Sequence, residues 1–147
     1  MNMLSKTGLA TVATLVALTV VPAFAATPVT KVQVSLDGEA DQPMKIGIDT
    51  PTVKAGTIEF DVKNVAIGTD HEVVLIKLQT KGQQITSDAK THRIDEKKFK
   101  SMGEVGGLKP SDSGVLKVKL AAGDYVLLCN HKAHYELGMY TAFTVTN

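Results

Sequence analysis

Apolar and polar residues alternate one by one through most of this chain, and the extended strand is the regular backbone that puts every second side chain on one face. In KVQVSL (31–36) Val32, Val34 and Leu36 oppose Lys31, Gln33 and Ser35, and MKIGI (44–48) repeats the pattern with Met44, Ile46 and Ile48. TIEFDVKN (57–64) sets Ile58, Phe60 and Val62 against Glu59, Asp61 and Lys63, while GVLKVKL (114–120) and MYTAFTV (139–145) alternate in the same way. EVVLIKL (72–78) and DYVLLC (124–129) are more continuously apolar, as central strands of a packed sandwich are. Turn-forming residues punctuate these runs at Asp37-Gly38, Thr50-Pro51, Ala55-Gly56, Lys109-Pro110 and Ala122-Gly123. The pattern predicts an all-β, antiparallel sandwich of about seven to eight strands.

One stretch breaks the pattern. Residues 79–108 are polar and lysine-rich, a long excursion from the sandwich. Within it IDEKKFKSMG (94–103) predicts one short helix, with Asp95 near its start, Gly103 past its end, and Phe99 and Met102 on one face.

The first 25 residues stand apart. They carry one early cation, Lys6, then an apolar run broken by threonines, then Ala23-Phe24-Ala25. That is the form of a secretory signal peptide, 1–25, cleaved before Ala26. An uncleaved anchor is the alternative, but Leu9 to Val21 is short for a span that needs roughly 20 apolar residues. The remaining chain, 26–147, is the size of one domain. Removing Lys6 from the 16 basic residues of the chain leaves 15, against 15 acidic ones. A neutral, well-mixed surface gives no electrostatic case for nucleic acid or an anionic membrane.

Export makes the cysteine count informative, because oxidising compartments favour paired thiols and a single one suggests a functional role. Cys129 is the only cysteine, and CNHKAHYELGM (129–139) places two of the four histidines and one of the five methionines beside it. The segment joins two predicted strands, so a rigid sheet holds it at both ends. Cys129 leaves at a strand end, His134 comes from the loop, and Met139 begins the return strand. A buried inert thiol and a core methionine are the plain readings of Cys129 and Met139 taken singly. Their joint occurrence with His134 points to a metal.

A fourth ligand must come from elsewhere. His71 opens HEVVLIKL at another strand start, whereas His92, between Thr91 and Arg93 in the polar excursion, reads as solvated surface. The set His71, Cys129, His134 and Met139 is then two imidazoles, a thiolate and a thioether. Soft sulfur selects copper or zinc over calcium or magnesium, and a weak methionine beside two histidines and a cysteine is the pattern of an electron-transfer copper site. Structural zinc uses four strong donors instead.

On GDYVLLCNHKAHYELGMYTAFTV (123–145) and TDHEVVL (69–75) the chain resembles the cupredoxins, small blue-copper proteins of the plastocyanin and azurin type. The resemblance implies a Greek-key sandwich with one copper ion near one end, held by His71, Cys129, His134 and Met139. It also implies an electron port at the edge of His134, through a small apolar patch including Ala133 and Leu137. Where relatives have Pro-Gly before the loop histidine, this chain has Lys132-Ala133. His131 is a competing ligand, but its register would put the methionine near position 136, which is glutamate. His134 is therefore preferred, and His131 reads as a solvent-facing loop residue.

The expected function is an exported, periplasmic carrier of single electrons between protein redox partners, monomeric and without a membrane span after cleavage. A periplasmic copper chaperone or buffer using the same ligands is the alternative, with His131 near the mouth as its support. An enzyme is not expected: neither the His-x-His pairs of multi-copper clusters nor a Ser/His/Asp set or phosphate loop is apparent. The lysine-rich stretch reads as a solvated face, or as a docking patch for an acidic redox partner.

Overall fold

The computed structural model describes residues 28–147 apart from Asp41, so the leader expected at 1–25 lies outside the described residues. The strands are β1 (Val29–Asp37), β2 (Lys45–Ile48), β3 (Thr52–Lys54), β4 (Gly56–Asn64), β5 (His71–Lys77), β6 (Lys100–Leu108), β7 (Ser113–Leu120), β8 (Gly123–Leu128) and β9 (Tyr140–Thr146). They form two sheets, one in the order β2-β1-β4-β7 and the other β3-β9-β8-β5-β6.

The alternating residues do what their period dictates. Val32, Val34 and Leu36 of β1 and Ile58, Phe60 and Val62 of β4 face inward and are buried. They meet Val73, Leu75, Tyr125, Leu127, Phe143 and Val145 from the opposite sheet in one core. Phe60 and Phe143 cross the layer edge to face, centroids 5.1 Å apart. Each such ring contributes about 2–3 kcal/mol by leaving water. The continuously apolar β5 and β8 have a second reason for their composition. Their other faces, Val74, Ile76, Val126 and Leu128, are also buried, under Ile85 and Ile94 of the polar excursion. That excursion is a strap laid across the outside of the second sheet.

Three expectations are corrected. The helix predicted for 94–103 forms only as a single 3-10 turn, Glu96–Lys98, with the Asp95 side chain accepting from the Lys97 N–H. From Lys100 the chain is strand β6, paired antiparallel with β5, so the strap ends near Phe99 rather than at Leu108. Gly103, Gly106 and Gly107 interrupt the alternation of β6, and pairing with the rigid β5 overrides weak local preference. The sheets are mixed rather than wholly antiparallel: β1 runs parallel to β4, and the three-residue β3 runs parallel to β9. Among the described residues no helix is long and apolar enough to cross a membrane.

Candidate metal centre

Three chain connections meet at one end of the sandwich: 38–44 after β1, 65–70 before β5, and 129–139 between β8 and β9. His71 is the first residue of β5 and is fully buried. Its Nε2 lies 3.0 Å from the Gly38 carbonyl oxygen. A carbonyl only accepts, so Nε2 carries the proton and donates, and Nδ1 presents a lone pair to the site. Gly38 has φ +132°, and a β-carbon on it would lie 2.7 Å from Met44 Cγ, so glycine is required for this approach.

The 38–44 turn is itself fastened. The Glu39 carboxylate accepts from the Ile67 N–H at 2.6 Å, the Gly68 N–H at 3.3 Å and the Thr69 hydroxyl at 2.7 Å. These donors hold the Glu39 carboxyl below its ordinary range, the Ile67 N–H having the largest effect. On the other side of the same loop, fully buried Asn64 donates to the carbonyls of Thr69 and Leu108 at 2.8 and 3.0 Å and accepts from the Ala66 N–H at 3.0 Å. His71 thus enters from a loop gripped from two directions.

The 129–139 segment is tied across its own main chain. The Cys129 N–H donates to the Met139 carbonyl and the Met139 N–H to the His134 carbonyl, each at 3.0 Å. Leu137 donates to Ala133 and Gly138 to Tyr135, also at 3.0 Å, winding the loop into successive turns. Gly138, at φ +96°, lets the chain turn into Met139 with the Met44 carbonyl pressed close. Cys129 and Met139 are both fully buried and pack in the same core cluster between the sheets.

Three of the four predicted ligands come together. The ligand atoms of His71, Cys129 and His134 all lie within 4.8 Å of one another. His134 Nδ1 is 3.2 Å from His71 Nδ1 and 3.4 Å from Cys129 Sγ. Two donors that each bond one ion at about 2.0–2.3 Å stand about this far apart at tetrahedral to trigonal angles. The spacing of these three donors therefore fits a single soft transition-metal ion, and Met139 is buried in the same core cluster as Cys129. Burial pushes the Cys129 thiol up to about 11, against the pull of the Glu72 and His131 main-chain N–H groups. It pushes His134 down to about 4 and lowers His71 as well. Without a metal, both imidazoles are neutral and the thiol keeps its proton at pH 7.

The other two histidines lie outside the cluster. His131 stacks on His134 with centroids 5.3 Å apart, and its Nε2 is 3.9 Å from Glu72 Oε2. His92 is partly exposed, yet it is a clamp rather than a free surface residue. Its carbonyl accepts from the Ala133 N–H at 2.8 Å and its Nδ1 meets Glu136 Oε2 at 3.0 Å.

A family model described as the sulfocyanin (SoxE) domain matches residues 10–147. The chain belongs to the sulfocyanin family. Sulfocyanins are cupredoxins, so the resemblance read from 123–145 holds at family level. Among solved structures, the sulfocyanin chain is similar to dithionite-reduced auracyanin from Roseiflexus castenholzii, at 24% identity over 80% of this chain and 98% of that one, TM-score 0.58. It is similar to auracyanin A, a "blue" copper protein of Chloroflexus aurantiacus, at 19% identity over 81% and 100% of the chains, TM-score 0.58. Rusticyanin from Thiobacillus ferrooxidans matches at 16% identity over 80% and 77%, TM-score 0.60. At these identities the structures speak for the fold. No curated protein matches.

Sequence reasoning missed Gly38, Glu39 and Asn64. Asp37-Gly38 was legible only as a turn, and nothing in the linear sequence ties it to His71. The one available signal was Asn64, a carboxamide ending an apolar strand.

Proposed function

We propose that this sulfocyanin is an exported electron carrier that holds one copper ion through His71, Cys129, His134 and Met139. The observation that carries the reading is the convergence of one buried thiol and two buried or half-buried imidazole nitrogens within 4.8 Å, with the Met139 thioether buried in the same core cluster as the thiol. When bound, copper supplies a one-electron couple between Cu(I) and Cu(II).

The chain's own residues set the conditions for that couple. Gly38 fixes the His71 tautomer and ring orientation, as partners of a ligating histidine generally do. His134 presents Nδ1 to the site, its proton moving to Nε2 on ligation. Cys129 would give up its proton to bind as thiolate, and Met139 would supply a weak thioether donor. The loop's main-chain ties and the two sheets resist rearrangement between the geometries that the two oxidation states prefer. No bond of a substrate is made or broken, so the protein is not an enzyme on this reading.

The exported, periplasmic location rests on the signal-like 1–25 segment, and protein redox partners would meet the His134 edge near Ala133 and Leu137. The copper-handling alternative drew its support from His131 as an extra ligand at the mouth. That ring is stacked on His134 with Nε2 towards Glu72, which favours the carrier. Visible and paramagnetic resonance spectroscopy of the copper-loaded protein tests the reading. An intense thiolate–copper absorption that bleaches and returns with reduction and oxidation, and is absent in Cys129→Ser, is expected. A colourless copper-loaded protein, or one that loses its metal on cycling, contradicts it.

A further inference from the structure

Asn130 follows the thiol and is 6% exposed, a buried polar side chain that neither strand alternation nor metal ligation requires. Its Oδ1 accepts from the Ile94 N–H at 2.6 Å, and its Nδ2 donates to the Ile94 carbonyl at 3.0 Å and to Glu96 Oε1 at 2.7 Å. The Asn130 main-chain carbonyl accepts from the Arg93 guanidinium at 2.7 Å. A carboxamide both donates and accepts, so it bonds the two sides of one peptide position as a neighbouring strand would. Every polar group of Asn130 named here is directed at strap residues 93–96, so the main chain leaving Cys129 is fixed from outside the sandwich. The chain entering Cys129 is already fixed by β8 and by the bond to Met139. Three residues on, the Ala133 N–H is held by His92 of the same strap.

We propose that Asn130 is a positioning residue for the metal site: with Arg93 and Glu96 it clamps the ligand loop to the 79–99 strap and holds the Cys129 thiol in place before any ion arrives. The proposal rests on the copper reading for what the position serves, and on the structure alone for the clamp. A polar strap would then belong to the metal centre rather than to the solvated face that its composition suggests. The two bonds to Ile94 are buried, so removing the Asn130 carboxamide leaves the Ile94 N–H and carbonyl unpaired.

The test uses four variants of the folded protein: Asn130→Ala, Arg93→Met, Asn130→Asp, and Asn130→Asp combined with Glu96→Gln. In the metal-free protein, alkylation of Cys129 by iodoacetamide under native conditions reads the freedom of the thiol. Asn130→Ala is expected to speed it by about tenfold, the factor that follows from losing the clamp's net hydrogen bonding. Arg93→Met, which removes one exposed donor, is expected to speed it by about threefold. Asn130→Asp sets a carboxylate against Glu96 and should resemble Asn130→Ala, and Glu96→Gln should recover at least half of that loss on a logarithmic scale.

In the copper-loaded variants, the reduction potential and the thiolate–copper spectrum should move from wild type. A residue that merely stabilises the fold would move neither. If the variants melt earlier but alkylate at the wild-type rate with unchanged spectrum and potential, the proposal is overturned. Should Asn130→Ala not fold, Arg93→Met and the Asp/Gln pair decide by the same criteria. Failure of wild type to take copper would refute the copper reading, while the alkylation series would still decide the clamp.

Discussion

Ala133 adopts φ +68°, the left-handed region, in the middle of the ligand loop. A β-carbon in that conformation costs about 1–2 kcal/mol through its contact with the following carbonyl. Replacing it with glycine removes that cost and adds unfolded-state freedom worth about 0.5–1 kcal/mol in the opposite direction. The other interactions at this position survive. The main-chain N–H still donates to His92 at 2.8 Å and the carbonyl still accepts from Leu137 at 3.0 Å. Ala133→Gly should therefore stabilise the protein by about 0.5–1 kcal/mol, which for a domain of this size raises Tm by ~2–4 °C. Thermal unfolding followed by circular dichroism is the assay, on metal-free protein so that ligand linkage does not contribute. An unchanged or lower Tm would refute the reasoning, because it would mean that the alanine pays no conformational penalty here.

Three further outcomes are expected. Asn64→Ala strands the Ala66 N–H and the Thr69 and Leu108 carbonyls, so denaturant titration should show a loss of about 3–5 kcal/mol; a loss under ~1 kcal/mol would mean that water replaces the amide. Copper uptake at pH 7 should release about one proton, from Cys129 alone, because the thiol sits near 11 while both histidines are already neutral; calorimetry in buffers of different ionisation enthalpy counts it, and two or three protons would contradict the assigned states. Glu39 is held below its ordinary 4.5, so its contribution is fully present above that value and lost as pH falls through the lower folded one. Stability measured against pH should accordingly fall less steeply on the acid side in Glu39→Gln than in wild type.

The parts of the fold that sequence made legible are those where one residue's character decides its place. Val32, Ile58 and Phe60 could be assigned to an inner face because alternation leaves a strand no other arrangement. The opposite case is Ile94, which read as the start of a helix but is a lid residue over β5 and β8. Only the depth of the apolar runs in those strands hinted that something covered them. β6 was hidden because Gly103, Gly106 and Gly107 erase its alternation, and β3 because three residues carry too little pattern. The ligands were legible because copper chemistry restricts residue types so strongly that Cys129, His134 and Met139 stand out within one short loop. The groups that hold them were not. Gly38, Asn64 and Asn130 act through main-chain atoms of segments distant in sequence, and such contacts leave no period and demand no particular residue type at the partner.

The central claim is that four side chains converge on one ion, and anomalous diffraction from crystals of the copper-loaded protein at the copper edge tests it most directly. The account predicts a single peak within bonding distance of His71 Nδ1, Cys129 Sγ and His134 Nδ1, with Met139 Sδ at a longer distance and the His71 Nε2–H still on the Gly38 carbonyl. A peak bound by His131 or His92 in place of His134, or one that leaves Cys129 unliganded, would contradict it.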